Sequence, residues 1–332
     1  MRYLFVVNPV AGKGDGVSKI VPLVERYFKD KGGNYAVVVT KTAHEATYIV
    51  RTECKKGDAI RVYACGGDGT LFDVVAGAIG YPNAEVGVLP CGSGNDFIKT
   101  FGIVDFLDMD GQIKGSAFPM DLIQCNDRYS INVCSTGLDA EVVSHKNRLK
   151  FLSKISGSFA YYVALFISFL FNIKNNFEIT IEDEKPIKGN FLFAVAANGR
   201  YYGGGFLPAP NASPHDGLMN CLLIKSVSRL KILSLISKYR NGEHIKLKNI
   251  CTHLHATKMT VKSDKEISVN MDGEVFKATE VTFQIVKNGI KFIVPCVCTN
   301  KLEEPQLPVS LLYDLSGKAV KPAFDAKNVN EL

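Results

Sequence analysis

The stretch CGGDGTLFDVV, residues 65–75, lies between a hydrophobic run and a helical one. Glycine reaches positive φ and lets a backbone come close to a ligand. Three glycines around an acid exceed what an ordinary strand–helix turn needs, so the plain turn is the weaker reading. Successive N–H groups in such a loop, followed by a helix N-terminus, suit an anion. The loop nevertheless has no lysine, which a Walker-type loop would place on the phosphates.

Upstream and downstream the chain alternates in type. RYLFVVN (2–8), YAVVVT (35–40), AIRVYAC (59–65) and EVGVLP (85–90) read as strands. Helices are expected over 17–31, with Val21, Val24, Tyr27 and Phe28 near helical spacing, from TAHE (42–45), and over 70–79. Thr42 with Glu45 fits a capping box, and Thr70 with Asp73 and Ser93 with Asp96 fit the same pattern. Strands and helices alternating with short connections imply a parallel sheet covered on both faces.

After about residue 120 the pattern changes. PMDLIQC (119–125), RYSINVC (128–134), FEITIED (177–183), FLFAVAAN (191–198), LMNCLLI (218–224), EISVNMD (266–272), VTFQIV (281–286) and KFIVP (291–295) read as strands, mostly joined without helices. That describes a largely antiparallel second domain. Helices are expected near 137–147, 151–171 and 228–240, and the proline-bearing tail either packs back on the first domain or frays.

Four places collect special residues: NPVAGKG (8–14), Thr40, GGDGT (66–70) and PCGSGND (90–96). Each ends an expected parallel strand, and ligands of open parallel sheets bind outside the carboxyl ends of strands. NPVAGKG by itself is as well explained by an ordinary turn. GKGDG (12–16) completes no dinucleotide-binding spacing downstream, which argues against a dehydrogenase.

Bulk properties narrow the rest. With 332 residues, 46% of them apolar, the chain can bury a sizeable core in two domains. Its nine cysteines form no C-x-x-C pair, and Cys296 and Cys298 are too close for a zinc knuckle. Met1 leads directly into a strand-like run, so no secretory leader is expected, and reduced thiols in a cytoplasmic protein are the simplest reading. A net charge of +6 does not call for nucleic acid, and no nucleic-acid signature accompanies it. FAYYVALFISFLF (159–171) follows Lys146, Arg148, Lys150 and Lys154. It is shorter than the roughly 20 residues a membrane span needs. It is either a buried helix or an interfacial one with a basic flank. His253 and His255 share a strand face but lack a third ligand nearby, and the role of His215 beside Asp216 stays open.

Together GGDGT, the upstream NPVAGKG and the downstream GSGND resemble the diacylglycerol kinase catalytic domain. STGLDAEV (135–142), NGRYYGGGFLPAPNASPHDGLMN (198–220) and MDGE (271–274) resemble later segments of the same family, in order along nearly the whole chain. Bacterial soluble lipid kinases are the nearest in pattern, with sphingosine and ceramide kinases and, further off, NAD kinases sharing the core. The resemblance implies a doubly wound α/β nucleotide domain (1–122, with a C-terminal return at about 296–332), a β-sandwich lipid domain (123–295) and an active site in the cleft between them.

It also implies an answer for the missing lysine: backbone N–H groups and magnesium hold the phosphates of ATP. By position Asn8, Pro9, Val10, Ala11, Gly12, Thr40, Gly66, Gly67, Asp68, Gly69, Thr70, Leu71, Phe72 and Ser93 would line the ATP site. Asp68 would act in the magnesium and phosphate network or directly as an acid–base group, with Asp96 supporting it. Glu274 would be the general base on the lipid hydroxyl. Asp216, with the backbone carbonyls of Ser213 and Leu218, would hold a structural Mg2+, a hard cation that favours oxygen ligands. Without the resemblance, Asp216 reads as a turn acid and Glu274 as a hairpin residue. The family usually continues its glycine loop with Asn-Glu, where this chain has Phe72-Asp73. The implied reaction is phosphorylation of a lipid hydroxyl, with diacylglycerol as the leading acceptor. A sphingoid base, phosphatidylglycerol, a soluble alcohol, or a non-catalytic nucleotide- or lipid-binding role are the alternatives. A cytoplasmic protein meeting its lipid at the membrane surface is expected, and a homodimer is an open expectation.

Overall fold

The computed structural model describes residues 1–102, 104–138, 140–141 and 174–296. Strands β1 (Arg2–Val7), β2 (Asn34–Val39), β3 (Ile60–Gly66) and β4 (Ala84–Pro90) alternate with helices α1 (Val21–Lys31), α2 (Glu45–Cys54) and α3 (Asp68–Ala78). All four strands are parallel, in the order β2-β1-β3-β4. The unbroken apolar runs of β1, β3 and β4 reflect burial on both faces, as parallel sheets require, whereas β2 is an exposed edge strand. Phe5, Val7, Tyr63, Cys65 and Leu89 pack with Val24 and Phe28 of α1 on one face. Leu4, Val6, Val62, Ala64, Val86 and Val88 pack with α2 and α3 on the other.

After the short helix α4 (Met109–Lys114), the second half runs through β5 (Ser116–Cys125), β6 (Arg128–Ser130), β7 (Val133–Gly137), β8 (Asn175–Ile181), β9 (Ile187–Ala197), β10 (Met219–Lys225), β11 (Cys251–Ala256), β12 (Lys258–Met271) and β13 (Glu274–Val294). Helix α5 (Arg229–Arg240) separates β10 from β11. These strands pair antiparallel around a large apolar core that includes Phe177, Phe191, Met259, Val269 and Phe283, and form the β-sandwich. The strand β13 joins the two halves. It pairs antiparallel with β5 and β12, and parallel with β4 at Phe292 opposite Val86. Phe292 then stacks on Phe101 and meets Phe97 edge-on and Phe106 at a tilt.

Several local expectations need correction. VTFQIV and KFIVP are one strand of 21 residues, whose register with β5 shifts between Val286 and Ile290. Asn288 sits there at φ 55° and donates its N–H to Asp121. RYSINVC is two strands, β6 ending at Ser130 and β7 beginning at Val133, and at the break the Asp272 carboxylate accepts the N–H groups of Ile131, Asn132 and Val133. Helix α3 begins at Asp68 with Gly67 as N-cap, so Thr70 caps nothing and its hydroxyl accepts from Asn8. Glu45 takes the N–H of Thr42, but α2 starts only at Glu45, after His44 in the left-handed region. Ser93 and Asp96 form no capping box, since Asp96 has other partners. Most of the helix expected at 137–147, the helix at 151–171 with its basic flank, and the tail from residue 297 lie outside the described residues. Among the described residues no helix is long and apolar enough to cross a membrane.

Phe72 has a packing role. It projects from α3 into the core of the second half, beside Ile123, Cys125 and Phe283. An apolar side chain there adds a hydrophobic joint between the halves. Truncating it, Phe72→Ala, is expected to cost about 3 kcal/mol, as for other buried phenylalanines. Urea unfolding measures this, and an unchanged midpoint would contradict the assignment.

Candidate active site

The loops that end β1, β3 and β4 meet at one edge of the parallel sheet. Asn8 organises the first, accepting the Val10 N–H at 3.1 Å and donating to Thr70 Oγ1 at 3.2 Å. Gly12 turns it at φ +57°, and a Cβ there would stand 2.0 Å from the Cys91 carbonyl oxygen. The second and third loops touch backbone to backbone. Gly66 O accepts the N–H groups of Cys91 and Gly92, and a Cβ on Gly92 would lie 2.3 Å from Gly67 Cα. Glycine at 92 is required for that approach, and a side chain at 67 would also be tight, 3.1 Å from Gly92 Cα.

The contact places Asp68 under the third loop. Its Oδ1 accepts the N–H of Asp96 at 2.6 Å and of Phe97 at 3.3 Å. Asp96 is buried, ion-paired with Lys99, and accepts the Gly204 N–H at 2.6 Å from the second half. Burial, then the charge of Asp96, pushes the Asp68 carboxyl up to about 6, against the pull of its two amide donors. Thr70 and Leu71 donate their N–H groups to Gly67 O, leaving the amides of Asp68 and Gly69 as the first donors of α3. The positive end of the helix dipole adds to them.

The opposite wall comes from the hairpin between β12 and β13. Asp272, at φ 50°, and Gly273, at φ 102°, make the turn, and Glu274 is the first residue of β13. Asp272 anchors that turn through its bonds to the Ile131–Val133 amides, so Glu274 is held on a fixed element. The resulting cleft is about 530 Å³ in volume. Asn8, Val10, Ala11, Gly12, Gly67, Asp68, Gly69, Thr70, Leu71, Ser93, Asp96 and Glu274 all line it.

Pro9, Thr40, Gly66 and Phe72 do not appear in the lining. Thr40 is buried, with both its N–H and its hydroxyl turned to the Val7 carbonyl. Gly66 serves by its carbonyl, and Phe72 packs in the second core as described.

Ser213, Asp216 and Leu218 form a separate loop. Ser213 Oγ bonds His215 Nδ1 at 2.7 Å, and Asp216 accepts the Leu218 N–H at 2.9 Å. The buried Asp121 beside them accepts the amides of Gly217 and Asn288. Among the described residues no group of three or more His, Cys, Asp or Glu side chains is arranged to hold a metal. A metal in this loop would meet the Asp216 carboxylate, with Asp121 beside it, and otherwise backbone oxygens and water. That composition fits magnesium, which keeps several waters, and does not fit zinc.

Tyr202, Gly203, Gly204, Phe206, Arg240, Asn270 and Asp272 also line the cleft, and none is singled out by sequence reasoning. The glycines at 203–205 were a visible signal. Arg240 carries none, being the last residue of α5.

Comparison with known proteins gives a consistent picture. Residues 2–125 match the model of the diacylglycerol kinase catalytic domain, and residues 132–294 match that of the YegS C-terminal NAD kinase beta sandwich-like domain. A "Probable lipid kinase YegS-like" of Shewanella frigidimarina is 28% identical, covering 77% of this chain and 83% of its own. A diacylglycerol kinase of Mycobacterium tuberculosis is 27% identical, covering 85% of this chain and 94% of its own. The crystal structure of a diacylglycerol kinase from Bacillus anthracis shares the fold, with a TM-score of 0.64, 21% identity and coverage of 88% and 96%.

The raised Asp68 carboxyl has a consequence for stability. Its folded value, about 6, lies above the unfolded 3.8, so its ionised form opposes folding. That penalty is absent below the unfolded value, grows between the two, and is complete above pH 6. The variant Asp68→Asn keeps an oxygen acceptor and removes the charge. At pH 8 with chelator present it is expected to be more stable by about 2 kcal/mol, allowing for solvent in the cleft. The gain should vanish by pH 4. Urea unfolding across pH checks this, and a variant no more stable than wild type at pH 8 would contradict it.

Proposed function

Because the chain belongs to the diacylglycerol kinase catalytic-domain family, we propose that it transfers the γ-phosphoryl group of ATP to a lipid hydroxyl, with diacylglycerol as acceptor. One observation carries the reading: the glycine-loop amides and Asp68 of the first half face Glu274 of the second across a single cleft. Phosphoryl transfer needs mainly positioning and charge neutralisation. The amides at the start of α3 and in the loops after β1 and β4 would hold the phosphates. Glu274 would accept the proton of the lipid hydroxyl as its oxygen bonds to the γ-phosphorus and the bond to the β-phosphate oxygen breaks. Held near Asp68, magnesium would neutralise phosphate charge. The crowded Asp68 and Asp96 carboxylates, balanced among the described ion pairs by Lys99, suit an added cation. Asp216, with the carbonyls of Ser213 and Leu218, would hold a second magnesium with a structural role.

The lipid acceptor places the reaction at a membrane surface. The test is transfer of label from γ-labelled ATP, with magnesium, into mixed micelles carrying one lipid at a time. Label in diacylglycerol is expected. A Glu274→Gln variant should lose about 10²–10⁴-fold in kcat, with little change in KM for ATP. Label in a sphingoid base or phosphatidylglycerol instead would replace the acceptor. Full activity of the variant would remove Glu274 as base.

A further inference from the structure

Helix α5, RLKILSLISKYR, is built for two different neighbours. Ile232 is buried, and Ile236 and Tyr239 pack with it against Phe193, Leu222 and Phe206. At 3.6 residues per turn, Leu230, Leu233, Ser234 and Ser237 fall on the opposite side. Leu230 is 81% exposed and Leu233 52%. Arg229 and Arg240 flank this outer face on one side, Lys231 and Lys238 on the other, and the helix has no acid.

The pattern is costly for the helix itself. Arg229 and Lys231 stand in its first turn, where the dipole disfavours cations, and Ser228 makes no side-chain cap bond. Two leucines held in water add nothing to the core. An external surface that is apolar inside and anionic at its boundary would accept all of these features.

We infer that α5 docks this protein on an anionic phospholipid bilayer, with Leu230 and Leu233 inserted and the flanking cations at the headgroups. The position of the helix gives docking a use. Its last residue, Arg240, lies over the Phe206 ring at 5.9 Å, and both line the main cleft. A docked α5 therefore brings the mouth of the cleft to the bilayer. That use rests on the lipid kinase reading, but the binding itself does not, so the test measures binding without turnover.

The chain contains no tryptophan, so one introduced residue reports without background. A Leu230→Trp variant is mixed with phosphatidylcholine vesicles, with or without phosphatidylglycerol. Its emission should shift to the blue with the anionic vesicles and shift little with the neutral ones. In sedimentation with the anionic vesicles, the Leu230→Ser/Leu233→Ser variant should bind at least tenfold more weakly than wild type. Lys231→Glu/Lys238→Glu should do the same, and added salt should weaken wild-type binding. Tyr48→Ser, an exposed apolar position on α2, should bind as wild type. Thermal unfolding confirms that each variant is folded. Unchanged tryptophan emission, or α5 variants that bind as wild type, would overturn the inference. Equal loss in the Tyr48 variant would overturn it too.

Discussion

The contact between Gly67 and Gly92 is the constraint on which the site depends. A side chain on Gly92 would push apart the loops after β3 and β4. With both glycines present, Asp68 reaches the amides of Asp96 and Phe97, and Asp96 in turn reaches Gly204 in the second half. The close backbone approach at Gly92 thus propagates into the closure of the cleft. Two neighbouring carboxylates are expensive to bury, and amide donors and Lys99 offset only part of that cost. What is left is the raised Asp68 carboxyl, an instability tolerated at the site proposed to bind phosphate.

The same device recurs at each junction. Asp68, Asp96, Asp121 and Asp272 each accept backbone N–H groups from segments distant in sequence. Asp121 ties β5 to the loop at Gly217 and to the irregular point of β13 at Asn288. Asp272 ties the β12–β13 turn to the break between β6 and β7. A carboxylate accepting several amides fixes direction more narrowly than apolar packing does. Glu274 inherits its place from such a tie, while Phe72 and Phe292 supply the packing that closes the halves together.

Where local chemistry decided the outcome, the sequence was readable. Runs such as LFVV and VYAC announce strands buried on both faces, and glycine-dense loops announce backbone that must approach something closely. Where a distant partner decides the outcome, the local pattern does not show it. Thr70 and Ser93 read as helix caps, but the Thr70 hydroxyl answers Asn8 and the Asp96 carboxylate answers Gly204. At the break in RYSINVC the partner is Asp272, some 140 residues away. Phe72 looked like a change in a ligand loop, whereas the structure turns it into the opposite core. Arg240 reaches the cleft only through the docking of α5, which no local pattern encodes.

The central claim is that backbone amides of the three loops, in place of a lysine, hold a nucleotide's phosphates. Hydrogen exchange of the protein with and without an ATP analogue and magnesium tests it most directly. The account predicts new protection in peptides covering residues 10–12, 67–69 and 92–94, with the β9–β11 strands unchanged. Protection elsewhere with these loops unaffected, or no protection at saturating nucleotide, would contradict it.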